Sequence, residues 1–315
     1  MGREITLPEP RKIDDYLVCA VVGKLVGDHG EERLEETNVF YGQDRNGRNV
    51  VLKRELSSMP DEEPADLGAL LLMHEYDMHS RLKHSHICRV LDLVHDSEDR
   101  AYIVTERIGS EHFGERLHRM AYRAQSSKRA EDEMEKAIII ADTADALAYI
   151  HKKGIIHGDV KPQNIAVDEK RGYLFDLGAA RKIEGEHPVL PGKLMGTPEY
   201  ISKERWHGIE TPSADLFALS IIAHEAFTGK HPFALIERKR KSLSGKTYYE
   251  IDYNTRKFDD EKLDFLNGAG QMIKRGLSAD KLLTAEEFRD VFRELAAKHY
   301  RQPSAKTSEP SLVSV

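Results

Sequence analysis

The stretch that decides the fold is IIHGDVKPQNIAVDEKRGYLFDLG, from Ile155 to Gly178. It places an aspartate, a lysine and an asparagine on one short loop, at Asp159, Lys161 and Asn164. A second aspartate, Asp176, begins an Asp-Leu-Gly turn twelve residues after the asparagine. A lone His-x-Asp triplet would mean little, but this combination of residue types at this spacing is specific.

Moving the terminal phosphoryl group of ATP requires parts of these kinds. A carboxylate orients the attacking hydroxyl, a cation neutralises the transferring phosphoryl, and an amide and a carboxylate hold divalent metal against phosphate oxygens. The run resembles the catalytic loop and metal-binding turn of eukaryotic-type (Hanks-type) serine/threonine protein kinases. The resemblance implies that Asp159 orients the substrate hydroxyl and that Lys161 stabilises the phosphoryl charge. It also implies that Asn164 and Asp176 ligate Mg²⁺, a hard cation that prefers oxygen.

Two residues in the first third of the chain extend the resemblance. Lys53, in Val51-Leu52-Lys53, is similar to the family's strand lysine, which contacts the α- and β-phosphates of ATP. Glu75 stands nine residues before His84, where the family commonly has the helix glutamate that pairs with this lysine. A Lys on a strand and a Glu on a helix are usually solvated charges. Their register with the catalytic loop predicts an ion pair instead.

The segment Thr105-Glu106-Arg107-Ile108 occupies the position of the family's hinge between two lobes. By that resemblance Thr105 is the gatekeeper, and the backbone of Glu106 and Ile108 meets the edge of adenine. Three apolar residues would pack on the faces of adenine: Val39, Val51 and Ala166. Each of these apolar residues could equally belong to an ordinary core.

Two downstream features match the same family. Residues 196–200 (GTPEY) resemble the segment just before the substrate platform. Asp215 matches an aspartate that anchors the catalytic-loop backbone. Lys161-Pro162 is the serine/threonine form of the loop, so the expected partner is a protein substrate with a Ser or Thr acceptor.

The resemblance implies an α+β fold with two lobes. The kinase domain is expected at 12–300, with a small β-rich N-lobe at about 12–106, containing one main helix, and a larger helical C-lobe at about 108–300. Residues 1–11 are read as an N-terminal extension and 301–315 as a flexible tail. The whole chain has 315 residues, which is ample for such a domain.

Local patterns predict the elements of this fold. Strands are expected at Tyr16–Val26, Val39–Gln43, Asn49–Arg54, Val90–His95 and Ala101–Arg107. The Asn46-Gly47 pair predicts a hairpin turn. Helices are expected at Ala65–Lys83, Ala130–Lys153 and Ser213–Thr228, and from a capping box at Thr284 and Glu287 to about Lys298. The N-lobe order is therefore three strands, a helix and two strands.

Composition excludes several other classes. A net charge of −7 is spread over the chain, so no nucleic-acid footprint is indicated. The one dense basic run, Arg238 to Lys241, is read as a solvated helix end or loop. Two cysteines support neither a disulfide framework nor a four-ligand metal site. No apolar stretch is long enough for a membrane span, and the start lacks a signal-peptide pattern, so a cytoplasmic location is expected.

Four departures from the family pattern affect the nucleotide site and its control. Between Val26 and Val39 stands GDHGEERLEETN, where a tight glycine-rich loop would approach the phosphates; four Glu and one Asp lie there instead. Gly158 replaces the Arg of His-Arg-Asp, which in the family pairs with a phosphorylated activation segment. The segment between Gly178 and Gly196 contains no Ser, Thr or Tyr. Control by phosphorylation of that segment is therefore not expected.

The fourth departure concerns Glu204. Leu282 and Leu283 stand where the family has the Arg that normally pairs with this glutamate. Because a buried unpaired carboxylate is costly, either a nearby cation substitutes or Glu204 is more exposed.

Two alternatives remain beside the ATP- and Mg²⁺-dependent kinase. Small-molecule phosphotransferases of the kinase fold often carry His-Gly-Asp, but they generally lack Lys161, the GTPEY segment and the Asp-x-Gly turn together. A pseudokinase or scaffold module would explain the acidic phosphate loop. Such proteins usually lose a catalytic Lys or Asp, however, and this chain keeps Lys53, Asp159 and Asp176.

Overall fold

The computed structural model describes residues 3–28, 31–55, 67–123, 129–183, 195–239, 247–280 and 282–300. These residues form two lobes, each built around its own large hydrophobic cluster. The first lobe is mainly an antiparallel sheet, and the second is mainly helical. The predicted two-lobed α+β fold is confirmed.

The small lobe is one six-stranded sheet with one helix. Its elements are β1 (Arg3–Ile13), β2 (Tyr16–Asp28), β3 (Glu31–Gln43), β4 (Asn49–Arg54), α1 (Leu67–Ser80), β5 (Val90–His95) and β6 (Ala101–Glu106). The strand order is β1-β2-β3-β4-β6-β5, and all pairs are antiparallel. Helix α1 packs against β5 and β6, and its Glu75 side chain reaches Lys53 on β4.

Strand β1 was not among the predicted strands. It pairs with β2 and has a register shift between Thr6 and Arg11. Pro8 and Pro10 lie inside that shift, where no ladder N–H is needed. Strand β1 could not be predicted from the sequence pattern, because two prolines in a segment normally argue against a strand. The domain limits, including the extension at 1–11, stay a prediction.

The predicted hairpin turn between β3 and β4 is confirmed. Gly47 has a φ of +74° and donates to the carbonyl of Asp44 at 2.9 Å. The Asp44 carboxylate also accepts from the N–H groups of Asn46 and Arg48, both at 2.9 Å. This closed turn fixes the register in which Val39 pairs with Lys53.

The large lobe begins after the hinge. Its elements are β7 (Glu111–His112), α2 (Phe113–Arg123), α3 (Arg129–Lys152), β8 (Ile155–Ile156), β9 (Ile165–Asp168), β10 (Arg171–Leu174), β11 (Arg181–Lys182), α4 (Lys203–Trp206), α5 (Pro212–Thr228), β12 (Phe233–Lys239), β13 (Thr247–Arg256), α6 (Asp260–Phe265), α7 (Gly268–Leu277) and α8 (Ala285–Tyr300). The short strands pair as β10-β9-β7, β11-β8 and β12-β13.

Helices α3 and α5 form the centre of the large lobe. Helix α5 is buried around most of its circumference, which explains its near-continuous apolar sequence, whereas the buried residues of α3 lie almost entirely from Ala137 onward. They begin and end within one residue of the predicted bounds. The capping box is also confirmed, since the Glu287 N–H donates to Thr284 Oγ1 at 3.2 Å and Glu287 Oε2 accepts from the Thr284 N–H at 3.2 Å.

The basic run was assigned to the wrong type of element. Arg238 and Lys239 end strand β12 of a two-stranded hairpin, whereas a helix end or loop was expected. Arg238 is exposed, and its guanidinium contacts Glu250 on β13 at 3.1 Å. The rest of the run lies outside the described residues. None of the helices in the described part of the chain has the length and apolarity needed to cross a bilayer.

Candidate active site

The loop between β8 and β9 carries three of the predicted site residues: Asp159, Lys161 and Asn164. Pro162 begins a short 3-10 helix that ends at Asn164, a position that suits the fixed φ of proline. The Asn164 N–H donates to the Lys161 carbonyl at 2.9 Å. The turn brings the side chains of Lys161 and Asn164 within hydrogen-bonding distance of the Asp159 carboxylate.

Asp215 holds the backbone that precedes this turn. It is buried in the first turn of α5 and accepts hydrogen bonds from the N–H groups of His157 and Gly158, at 2.9 and 3.0 Å. His151 Nε2 lies 2.8 Å from the same carboxylate. Burial opposes the charge, but these partners lower the pKa of Asp215 below its ordinary value. The predicted anchoring contact is therefore present.

The two carboxylate oxygens of Asp159 have different surroundings. Oδ2 accepts from Lys161 Nζ at 2.6 Å and from Asn164 Nδ2 at 3.1 Å. Oδ1 is buried and has no hydrogen-bond partner among the described residues. Asp159 lines a cavity of 260 Å³ together with Lys53, Asp176 and Thr197. One oxygen is thus fixed, and the other has its hydrogen-bonding capacity unused.

Lys161 links the catalytic loop to the GTPEY segment. Its Nζ donates to Thr197 Oγ1 at 2.8 Å as well as to Asp159. Thr197 immediately precedes the short 3-10 helix Pro198–Tyr200. A single ammonium therefore bridges the acidic residue of the loop and the start of the expected substrate platform.

Lys53, Glu75 and Asp176 meet between the two lobes. Lys53 Nζ lies 2.7 Å from Glu75 Oε2 on α1 and 2.8 Å from Asp176 Oδ1. The predicted pairing of Lys53 with Glu75 is present in the structure. Asp176 has a φ of +63°, a left-handed conformation that aspartate tolerates better than most residues. Leu177, the next residue of the turn, is buried in the core of the large lobe.

Burial and the neighbouring charges shift the pKa values of these three residues in different directions. Burial opposes the charge of Lys53, but Asp176 and Glu75 raise the pKa of its ammonium above the ordinary value. Burial also opposes ionisation of Asp176, yet Lys53 lowers the pKa of that carboxyl to about 2. Burial raises the pKa of Glu75 to about 7. At neutral pH the group with the firmest negative charge is therefore Asp176, the predicted metal ligand.

The donor set at this point fits Mg²⁺. Asp176 offers an ionised carboxylate and Asn164 an amide oxygen, which are the hard ligands this ion prefers. In the described part of the chain, no three His, Cys, Asp or Glu side chains cluster as a site made by protein alone. A bound Mg²⁺ would therefore complete its coordination with phosphate oxygens and water.

A cavity of 380 Å³ opens beside Lys53. It is lined by all six residues predicted to surround adenine: Val39, Val51, Thr105, Glu106, Ile108 and Ala166. The Glu106 N–H donates to the Arg89 carbonyl at 3.0 Å, so the backbone group of Glu106 that would meet a ligand is its carbonyl. The volume and the mainly apolar lining are those of a small-molecule site.

Sequence reasoning missed several residues of this cavity. The guanidinium of Arg107 stacks on the Tyr41 ring, 3.8 Å from its centroid, and both residues line the cavity. Glu111 and His112 join the lining through strand β7, which pairs with β9. Arg107, Glu111 and His112 lie close to the hinge in the sequence, and Tyr41 lies two residues after Val39, but this closeness does not indicate which side chains point inward.

Most of the described residues of the acidic phosphate loop belong to a strand ladder. Strands β2 and β3 continue as one ladder in which Gly27 pairs with Glu32 and Asp28 with Glu31. The two residues at its tip, 29–30, lie outside the described residues. The activation-segment residues 184–194 also lie outside them. The predicted departure from a tight glycine-rich loop is thus visible in the backbone pairing.

Two environments were expected for Glu204, a nearby cation or greater exposure, and the structure shows the second. Its side chain is partly exposed, and it forms no ion pair with the residues that the structure describes. The neighbouring arginine, Arg205, is the buried member of α4, with 4% exposure. It pairs with Glu210 rather than with Glu204.

The comparison with protein families gives one match. The model described as "Protein kinase domain" matches residues 37–301. This range includes every predicted site residue and covers more than half of the chain.

Individual relatives are similar over shorter stretches. The serine/threonine-protein kinase PkaB of Streptomyces coelicolor is 31% identical over 173 residues, which cover 50% of this chain and 39% of that protein. Aurora kinase B of Mus musculus is 28% identical over 229 residues, which cover 71% of this chain and 59% of that protein. The serine/threonine-protein kinase PknA of Mycobacterium tuberculosis is 32% identical over 136 residues, which cover 42% and 30%. The chain thus spans less than two thirds of each of these relatives.

Proposed function

Because the chain belongs to the protein kinase domain family, we propose that it transfers the γ-phosphoryl group of ATP to Ser or Thr hydroxyls of protein substrates. The observation that carries this proposal is the asymmetry of Asp159. Oδ2 is held by Lys161 and Asn164, while Oδ1 has no partner among the described residues. A general base needs this arrangement, because it must be fixed in place and still accept a hydroxyl hydrogen.

In the proposed reaction the hydroxyl of the acceptor donates to Asp159 Oδ1. The acceptor oxygen forms a bond to the γ-phosphorus while the bond from that phosphorus to the β–γ bridging oxygen breaks, leaving ADP. The hydroxyl proton passes to Asp159. Lys161, 2.6 Å from the same carboxylate, keeps a positive charge beside the transferring group. Its second bond, to Thr197, keeps that charge in place.

Lys53 would position the α- and β-phosphates, and the two carboxylates beside it keep its ammonium charged and oriented. Asp176 and Asn164 would hold Mg²⁺, which when bound neutralises charge on the phosphate oxygens. The 380 Å³ cavity would take the adenine, with Val39, Val51 and Ala166 on its faces.

A protein acceptor is favoured over a small molecule by the link from Lys161 to Thr197. This contact ties the catalytic loop to the segment that the family uses as its substrate platform. Two of the similar proteins named above, PkaB and PknA, are serine/threonine-protein kinases by name, which supports the same acceptor class. A small-molecule phosphotransferase would have no need of this link.

One observation favours the second candidate, a binding module with weak nucleotide affinity. The β2–β3 ladder continues to Asp28 and Glu31, so the backbone there is committed to strand pairing. Amides in a strand ladder are not directed at phosphates as those of a tight glycine turn are. This candidate predicts an intact fold with little binding of ATP.

Phosphorylation of the activation segment is not part of the proposed control. Gly158 has no side chain to pair with a phosphate, and the sequence between Gly178 and Gly196 has no hydroxyl to carry one. The protein made without an upstream kinase is therefore expected to be active.

The test is transfer of labelled phosphate from ATP to a generic basic protein, with and without Mg²⁺, before and after phosphatase treatment. Mg²⁺-dependent transfer that survives the phosphatase, and that is lost in Asp176→Ala, supports the proposal. If the folded wild-type protein binds no ATP and transfers no phosphate, the binding-module candidate is correct.

A further inference from the structure

A buried cluster of three charged residues lies beside the catalytic loop: Arg181, Arg205 and Glu210. Both Glu210 carboxylate oxygens lie 2.9 Å from Arg205 Nε, and Arg181 donates to the same carboxylate from the other side. The side chains of Arg181, Arg205 and Glu210 are 9%, 5% and 9% exposed. We call these three residues the Glu210 cluster.

The Glu210 cluster joins parts of the chain on both sides of the activation segment. Arg181 lies in β11, just after the Asp-Leu-Gly turn, and its backbone pairs with Ile156 of β8. Arg205 lies in α4, after the GTPEY segment, and Glu210 follows in the next loop. The Glu210 carboxylate therefore connects the part of the chain before residues 184–194 with the part after them.

The cluster also contacts the catalytic loop directly. Arg205 Nη1 donates to the backbone carbonyl of Gly158, the residue before Asp159. Gly158 has a φ of +81°, and a Cβ atom placed on it would lie 3.0 Å from Arg205 Nη2 and 2.5 Å from the Ala179 carbonyl oxygen. Glycine at this position leaves the space that the guanidinium occupies.

The charges of the cluster make Glu210 indispensable to it. Two buried guanidinium groups share one carboxylate, and a buried cation without a partner is costly. If Glu210 were replaced by a neutral residue, no carboxylate would orient the guanidinium of Arg205. The hydrogen bond from Arg205 to Gly158 would then no longer be held in place. Asp159 would then lose support on one side of its backbone.

We propose that Glu210 is a positioning residue whose side chain supplies the carboxylate between the two arginines. With Arg181 and Arg205 it holds both ends of the activation segment against the catalytic loop, without any added phosphate. This inference rests on the proposed kinase function and adds to it the group that orders the site. Because the carboxylate belongs to the chain itself, the ordered state needs no upstream enzyme.

The first test compares Glu210→Gln, Glu210→Asp and the control Glu261→Gln, which changes an exposed glutamate on α6. We expect Glu210→Gln to lower kcat by at least about 10-fold, since small misplacements of catalytic groups have effects of this size. The KM for ATP and the affinity for ADP should stay within about 2-fold of wild type, because the nucleotide cavity does not include the cluster. Glu210→Asp should recover part of kcat, and the control should not change it.

A chemical rescue separates the need for an anion from a general packing role. In Glu210→Ala the removed carboxylate leaves room between the two arginines for formate. Added formate should raise kcat of this variant several-fold and should not affect Arg205→Met, which lacks the guanidinium that would bind it. Sodium chloride at the same ionic strength is the control for a general salt effect.

The results distinguish this inference from the proposed function. An inactive wild-type protein contradicts the proposed function, whereas an active wild type with an equally active Glu210→Gln contradicts the inference alone. Loss of ADP affinity in parallel with kcat also contradicts it, because the role would then be general folding. If Glu210→Gln does not fold, Arg205→Lys decides: it keeps the charge but loses the planar guanidinium, which bonds Glu210 and Gly158 from two different nitrogens. Wild-type kcat in that variant contradicts the proposal.

Discussion

The ammonium of Lys53 lies 2.8 Å from the carboxylate of Asp176, and this contact joins the sheet of the small lobe to the large lobe. The two residues are 123 positions apart in the chain. Glu75 on α1 holds the same ammonium at 2.7 Å. The three residues can meet only when α1, β4 and the Asp-Leu-Gly turn are all in place, so the contact marks an assembled site.

Replacing Lys53 with methionine should abolish most phosphoryl transfer while the fold persists. The change removes the ammonium that would position the phosphates and leaves Glu75 and Asp176 as neighbouring carboxylates. Loss of one such electrostatic contact lowers kcat by about 100-fold or more. Steady-state kinetics with ATP measure the effect. The control is Lys257→Met, at an exposed lysine of the large lobe, and equal activity of the two variants would show that Lys53 has no role in transfer.

Replacing Gly158 with alanine should destabilise the protein more than the same change at Gly154. Both glycines have left-handed φ angles, +81° and +71°, so the backbone strain of the two changes is alike, at about 1 kcal/mol. The difference is steric, because a Cβ on Gly158 would lie 2.5 Å from the Ala179 carbonyl oxygen and nothing lies within 4 Å of one on Gly154.

Denaturant unfolding of the two glycine variants measures this difference. We expect Gly158→Ala to lose about 2 kcal/mol more than Gly154→Ala, and to lose kcat as well, since Arg205 must move. Equal losses of stability at the two sites would mean that the space beside Gly158 is not limiting.

Replacing Glu225 with glutamine should stabilise the protein at alkaline pH. Burial raises the pKa of this carboxyl to about 7, and the like charge of Glu199 acts in the same direction. The Tyr200 hydroxyl donates to the carboxylate at 3.1 Å, which opposes this rise. The folded state therefore binds the Glu225 proton more tightly than the unfolded state, whose pKa is near 4.5. The stability from this neutral form is fully present below about pH 4.5 and is lost as pH rises through about 7.

Glutamine keeps the neutral form at every pH, so the gain over wild type should grow with pH. At about pH 8 it should reach up to about 3 kcal/mol, and at about pH 5 it should be small. Thermal or denaturant unfolding at several pH values gives the difference. Glu261→Gln, on the exposed face of α6, should show no such trend. A gain that does not change with pH would contradict a raised pKa at Glu225.

The residues that meet in the candidate site could be picked out because they lie in short runs whose spacing is itself informative. The loop from Asp159 to Asn164 and the turn at Asp176 are local, and their mutual distance is set by one β9–β10 hairpin. Lys53 and Glu75 were found through their register with that loop. Long apolar helices such as α5 were equally clear, because burial on all sides leaves a continuous apolar sequence.

The Glu210 cluster could not be predicted, because it depends on contacts between residues that are distant in the chain. Arg181 and Glu210 are 29 positions apart, and Arg205 lies 47 positions from Gly158. No local pattern marks such charged residues as buried. The β12–β13 hairpin was not predicted either, although Tyr249, Ile251 and Tyr253 alternate with polar residues in β13, a pattern that is typical of a strand.

Single-turnover transfer of labelled phosphate by Asp159→Asn, compared with Asp168→Asn, tests the central claim most directly. The first change keeps the size of the Asp159 side chain but replaces the carboxylate with an amide that cannot accept a proton. Asp168 is an exposed aspartate at the end of β9. We expect Asp159→Asn still to bind ATP with Mg²⁺ but to transfer at least about 100-fold more slowly, and Asp168→Asn to behave as wild type. Transfer at the wild-type rate in Asp159→Asn would contradict this expectation.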